Sequence, residues 1–279
     1  MAAQFLAVGH VVKDIVGSGW RLGGSVAYAV RQAARLGLQT AAVTACAPDV
    51  SPAELLPETQ WHVLADHETT TFENVYDGGA RRQRVLARSR VIGPAQVPSR
   101  WRSTPIVFLA PVLWDLEPNT GSVFPEECLV GLGAQGWLRR LEGSDVRPGR
   151  VDPHAPWLYG DVVFVSEEDL EEPERAADWL AYVPMVMLTR GRGGATVFDD
   201  AGRHDFPAYT VQEVDPTGAG DVFAAAFLAR WRETSDLDET ARFASAAAAL
   251  SLRGAGLDAI ATRAEVEALL ATAAAGGAR

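Results

Sequence analysis

Phe5-Leu6-Ala7-Val8 is an unbroken apolar run stopped by Gly9, and it opens the stretch that decides the fold. A run so short and so apolar reads as a strand buried on both faces. A glycine-rich passage follows, with Gly17, Gly19, Gly23 and Gly24. From Ser25 to Leu36 the spacing puts Val26, Ala29, Val30, Ala33 and Ala34 on one helical face, and Gly37 stands where a C-terminal cap belongs. Thr40 to Cys46 is the next strand. Strand, helix and strand in so little chain make a βαβ unit, which requires a parallel sheet and a right-handed crossover.

The same rhythm extends outward. Ile106–Ala110, Val162–Val165 and Val186–Thr189 are continuous apolar runs, as expected of strands covered on both faces. Ala195–Phe198, ending at Asp199-Asp200-Ala201-Gly202, suggests a hairpin. Asp221–Trp231, Glu239–Leu252 and Glu265–Ala274 read as alanine-rich helices. The predicted class is α/β: a doubly wound, mostly parallel sheet sandwiched by helices. Thr69–Tyr76 and Arg81–Ala87 differ, being β-rich runs on either side of Asp77-Gly78-Gly79, a hairpin turn signal. They predict a small β lid, formed mainly by about residues 67–92, on a single domain spanning 1–279. An edge hairpin of the main sheet is the alternative. Arg81, Arg82, Arg84, Arg88 and Arg90 crowd this region, as a solvated strand face or as the main concentration of positive charge.

Composition removes several functions. The 279 residues are 48% hydrophobic and 22% charged, which suits one large globular domain. A net charge of −11 leaves no electrostatic footprint for nucleic acid or anionic membranes, so a bound phosphate needs local devices. Lys13, the only lysine, is followed by Asp14 and fits neither a P-loop nor the strand lysine of protein kinases. Cys46 and Cys128 form no metal or disulfide framework, and the histidines are scattered. No apolar stretch is long enough to span a bilayer and the N-terminus does not read as a signal peptide, so a cytoplasmic protein is expected.

One stretch carries chemistry: Asp215-Pro216-Thr217-Gly218-Ala219-Gly220-Asp221, running into Val222-Phe223-Ala224. A turn of small residues opens a helix whose first amides have no intrahelical partner, and with the helix dipole they form an anion site. A carboxylate beside such a site would repel a phosphate unless it had a task. Base catalysis is one: Asp221 takes a proton from a substrate hydroxyl while the 218–220 amides hold the transferring phosphoryl group. The alternative is an aspartate that simply favours a helix N-terminus.

The longer string resembles the C-terminal signature of the PfkB (ribokinase-like) family of small-molecule kinases. Gly9 with Asp14, Gly23-Gly24 followed by Tyr28 and Arg35-Leu36-Gly37, and Thr189-Arg190-Gly191-Arg192-Gly193-Gly194 are similar to other motifs of that family, in the same order. The resemblance implies an α/β sandwich with a β lid, and transfer of the ATP γ-phosphate to a hydroxyl with Mg2+. It implies Asp221 as base and Gly218, Ala219 and Gly220 as anion hole. Asp14, Gly23, Gly24, Tyr28 and Arg139 would face the substrate; Thr189, Gly191, Gly194 and Ser166 would line the nucleotide site. Where the family has Asn after Gly-Gly this chain has Tyr28, and its Asn-x-x-Glu looks like Ser166-Glu167-Glu168-Asp169. Asp169 and Glu168 are therefore the implied magnesium carboxylates, acting through water. The implied acceptor is a sugar or polyol, with short strings similar to the myo-inositol kinase-like branch. A nucleoside kinase and a non-catalytic sugar or nucleotide sensor are the alternatives, and monomer and homodimer are both open.

Overall fold

In the computed structural model, which describes residues 2–77, 80–149 and 159–276, the βαβ opening is β1 (Phe5–Val8), α1 (Ser25–Arg35) and β4 (Thr40–Cys46). A hairpin lies inside it, β2 (Val12–Val16) and β3 (Gly19–Gly23). Then come α2 (Pro52–Leu55), β5 (Thr59–Ala65), β6 (Thr71–Asp77), β7 (Ala80–Ala87), β8 (Ile106–Leu109), β9 (Leu129–Gly133) and α3 (Gln135–Leu138). The short pair β10 (Arg140–Glu142) and β11 (Asp145–Arg147) precedes β12 (Val162–Ser166), β13 (Met185–Thr189), β14 (Ala195–Asp199) and β15 (Gly202–Phe206). Three helices finish the chain: α4 (Ala219–Thr234), α5 (Leu237–Ser251) and α6 (Arg263–Gly276).

The main sheet has nine strands in the order β15-β14-β13-β12-β9-β8-β1-β4-β5. All neighbours are parallel except β13-β14 and β14-β15, the predicted hairpin at one edge. Alternation along each strand splits the core: Phe5 and Ala7 face one layer, Leu6 and Val8 the other. The first layer holds the long helices. Phe223 and Phe227 of α4 reach Phe164 of β12 edge-on, at 6.5 and 5.6 Å between ring centroids. The second layer completes the expected sandwich with shorter helices. It is closed by α3 and by 3₁₀ segments at 94–96, 99–101, 118–123 and 173–181, with Trp101, Trp137 and Trp179 buried in it. Pro94, Pro98, Pro118 and Pro173 stand at the starts of these segments, where they fix φ and remove a donor.

The second sheet is larger than predicted. Its order is β10-β11-β7-β6-β2-β3, so it joins three hairpins from separate parts of the chain and is not confined to 67–92. The glycine-rich passage forms the turn and second strand of the β2-β3 hairpin, turning at Gly17 with φ +58°. Gly78 and Gly79 of the Asp77-Gly78-Gly79 turn lie outside the described residues, as does the side chain of Arg81. Arg82 pairs with Asp145, Arg84 with Glu73 at 3.3 Å, and Arg147 with Glu142 at 3.2 Å. That strand face is solvated and internally neutralised.

Candidate active site

From β1 the chain order runs outward to β4 on one side and β8 on the other, so the connections after β1 and β8 diverge. In such a sheet this switch point leaves a crevice at the strands' carboxyl ends. Buried Asp115 pins its two walls together. Its carboxylate accepts from the amides of His10 at 2.9 Å, Val112 at 2.6 Å and Leu113 at 2.8 Å.

Two helices begin at this crevice. Gly24, φ +92°, precedes α1, and a Cβ there would press on the His10 carbonyl. Gly218, φ +79°, caps α4, with Ala219, Gly220 and Asp221 in its first turn. A side chain at 218 would be strained by the left-handed backbone and would overlap the ring of Tyr28. Gly220 faces open space. Asp221 is largely enclosed, and burial pushes its carboxyl up to about 7, against the Ser25 hydroxyl that donates to it and the charge of Arg139; Asp169 pushes the same way as burial. An acid tuned to that range exchanges protons near neutrality.

Arg139 lies between two carboxylates. Its charge bears on Asp221 and on Asp169, its Nη1 donates to the Val112 carbonyl at 2.9 Å, and its guanidinium sits 5.8 Å over the Phe72 ring. Burial also raises Asp169, opposed by Arg139, by Gln135 Nε2 donating at 3.1 Å and by the Ser166 amide at 3.3 Å. Glu168 is exposed beside it. Ser166 and Thr189 are register partners at the ends of β12 and β13. The turn after Thr189 is closed by the Arg190 amide donating to the Gly194 carbonyl at 2.8 Å, with Gly191 at φ +48° and Gly194 at φ +87°.

Asp14 is buried in β2 with its carboxylate laid against Gly23, so that a Cβ at 23 would overlap it. Asp221, the 218–220 turn, Asp14, Gly23, Gly24, Arg139 and Asp169 thus form one neighbourhood, with Ser166 and Thr189 at its edge. Tyr28 departs from the expected place among substrate contacts. It is 2% exposed, its ring wedged against Gly218 and its hydroxyl enclosed without a hydrogen-bond partner. A side chain buried this fully backs the turn rather than facing a ligand. Ser25 and Asp115 were not singled out from sequence. Ser25 had a signal, a hydroxyl opening a helix directly after Gly23-Gly24, whereas Asp115 had none.

Residues 159–263 match the model of the pfkB family carbohydrate kinases, a segment that includes Ser166, Asp169, the Thr189–Gly194 turn and Asp221. The chain carries a PfkB-family domain. Among curated relatives of this domain, an ATP-dependent ribose-1-phosphate kinase of Halopiger xanaduensis is 34% identical over 97 residues, 33% of this chain and 32% of that protein. An inositol 3-kinase of Zea mays is 28% identical over 251 residues, covering 80% of this chain and 65% of that one. The chain thus spans under two thirds of the length of either relative. In fold it is similar to a pyrophosphate-dependent kinase of the ribokinase family, solved as a sulfate complex, with TM-score 0.79 at 22% identity over 95% of this chain and 99% of that one. It is also similar to the ribokinase of Arabidopsis thaliana solved with ribose and ATP, TM-score 0.74 at 19% identity over 97% and 99%. Among the described residues no helix is long and apolar enough to cross a membrane, and no group of three or more His, Cys, Asp or Glu is placed to hold a metal.

Proposed function

We propose that this chain is a small-molecule kinase that phosphorylates a hydroxyl of a sugar or cyclic polyol. One observation carries the reading: a carboxyl raised to about 7, Asp221, stands in the same helical turn as the anion-binding amides of Gly218–Gly220. Asp221 removes the proton as the acceptor oxygen bonds to phosphorus. The bond from phosphorus to the donor's bridging oxygen breaks, and its electron pair leaves with the donor. The first-turn amides of α4 hold charge on the transferring group, and these two devices supply most of what phosphoryl transfer asks of a protein.

Asp14, with Gly23 and Gly24 letting the acceptor approach the backbone, is the acceptor's anchor. Arg139 holds charge balance between Asp221 and Asp169. Thr189, Gly191, Gly194 and Ser166 line the donor's side. The carboxylates fit magnesium only in its usual sparse mode, in which Glu168 and Asp169 act through water and substrate phosphates complete the shell. When bound there, the ion would neutralise the donor's phosphates. The second sheet is read as the lid, and two free, buried cysteines suit a cytoplasmic setting.

The match to inositol 3-kinase over most of the chain favours a cyclic polyol as acceptor. The donor has two readings, ATP and inorganic pyrophosphate, because the fold's neighbours include a ribokinase with ATP and pyrophosphate-dependent kinases. The test is phosphoryl transfer with each donor to myo-inositol, ribose, fructose and cytidine, with wild type beside Asp221→Asn. Wild-type turnover that falls by ~10²–10⁴-fold in the variant is expected. Turnover retained by Asp221→Asn would remove the assigned base.

A further inference from the structure

Asp215 is held from two sides. Its amide and that of Val214 donate to the Leu252 carbonyl at 3.3 and 2.7 Å, which fixes the backbone to the end of α5. Its side chain bridges elsewhere. Oδ1 accepts from the Thr217 amide at 3.0 Å, shaping the entry to Gly218, while Oδ2 pairs with Nη2 of Arg21 at 2.8 Å. Arg21 belongs to β3 in the second sheet, directly opposite Asp14 in the β2-β3 register, so the two side chains share a face.

Charge explains why a guanidinium belongs here. Asp14, Asp215 and Asp221 all act on the hydroxyl of Tyr28, and Arg21 is the cation that opposes them there. Burial alone would raise the Asp215 carboxyl; its bonds to Thr217 and the charge of Arg21 keep it below the ordinary carboxylate range. Without Arg21 an unpaired carboxylate would stand three residues before the amides that must receive an anionic phosphoryl group. It would also be free to release the Thr217 amide. The ion pair is partly solvated, with side chains 32% and 14% exposed, so by itself it adds at most about 1 kcal/mol of stability. Its value lies in placement.

We infer that Arg21 is a positioning residue for the phosphoryl-binding turn: reaching from the second sheet, it neutralises Asp215 and sets Thr217–Gly220, coupling the sheet that holds Asp14 to the turn that holds the base. This rests on the kinase reading for its catalytic consequence and on the contacts alone for the mechanical one, so each is tested separately.

The first arm needs no activity. Amide hydrogen exchange at residues 217–220 of the substrate-free full chain is compared between wild type, Arg21→Met and Arg21→Lys. About tenfold faster exchange confined to that turn is expected in Arg21→Met, with partial recovery in Arg21→Lys. In the second arm, Arg21→Met lowers kcat by ~10–100-fold with the acceptor KM within about threefold of wild type, and Arg21→Lys regains part of the loss. Adding Asp215→Asn to Arg21→Met costs less than the two single losses combined, because the second change removes the unpaired charge. Unchanged exchange at the turn overturns the inference, as does wild-type kcat in Arg21→Met. A loss confined to KM would make Arg21 an acceptor contact instead, and faster exchange across the whole core would make its role merely structural. If wild type transfers no phosphoryl group to any acceptor, the kinase reading fails while the exchange arm still decides the tie.

Discussion

The crevice floor and the arginine strand of the second sheet hold similar residues in opposite circumstances. On the strand, Arg82, Arg84 and Arg147 pair with Asp145, Glu73 and Glu142 in water's reach. Water screens such pairs, so each contributes little. On the floor Asp221, Asp169 and Arg139 are enclosed, and the same attractions and repulsions move protonation: both carboxyls are raised, Asp221 to about 7. A count of charges along the chain would have ranked the strand first. Burial reverses that ranking, because an enclosed charge must be answered by a neighbour or lost to a proton.

The contrast can be broken from the largest expected effect downward. Gly218→Ala forces a left-handed alanine against the Tyr28 ring, and the two penalties together amount to about 2–5 kcal/mol. Urea unfolding measures it; a loss well under that range would mean that the turn is not clamped between α1 and α4. Next is the proposed base, Asp221. A carboxyl raised to about 7 is competent only when deprotonated, so kcat/KM should rise as pH passes through about 7 and level off above it. Arg139 favours the ionised form of Asp221, so Arg139→Met should move that acid limb to higher pH, by on the order of one pH unit. A limb that stays in place would separate Arg139 from the base. The smallest effect belongs to the strand: Arg84→Ala should change stability by about 0.5 kcal/mol or less and leave the pH profile untouched. A larger loss would place that pair in the class of the floor.

Much of this was legible in sequence because it is local. The apolar runs Phe5–Val8, Thr40–Cys46 and Val162–Val165 became central strands, since continuous apolar stretches can be satisfied only between two covered faces. The start of α4 was legible for a similar reason, as orphan amides, a left-handed glycine and an acidic first turn are properties of consecutive residues. Illegible were the features that need two distant surfaces to meet. The short helices that cover the second face could not be placed, because proline-started 3₁₀ segments carry no long apolar repeat to betray them. The place of Tyr28 after Gly23-Gly24 suggests a ligand contact; only packing against Gly218, 190 residues away in sequence, makes it a wedge.

The parallel α/β class, the small-residue turn at 218–220 and the carboxylate beside it could be read from neighbouring residues, because hydrogen bonding within a turn and the period of apolar residues are local properties. The tertiary structure alone decided that three separate hairpins share one sheet, that Arg139 stands between Asp221 and Asp169, and that Arg21 answers Asp215. Those pairings follow from which surfaces exclude water together, and a charge acquires its pKa and its partner only once that enclosure exists.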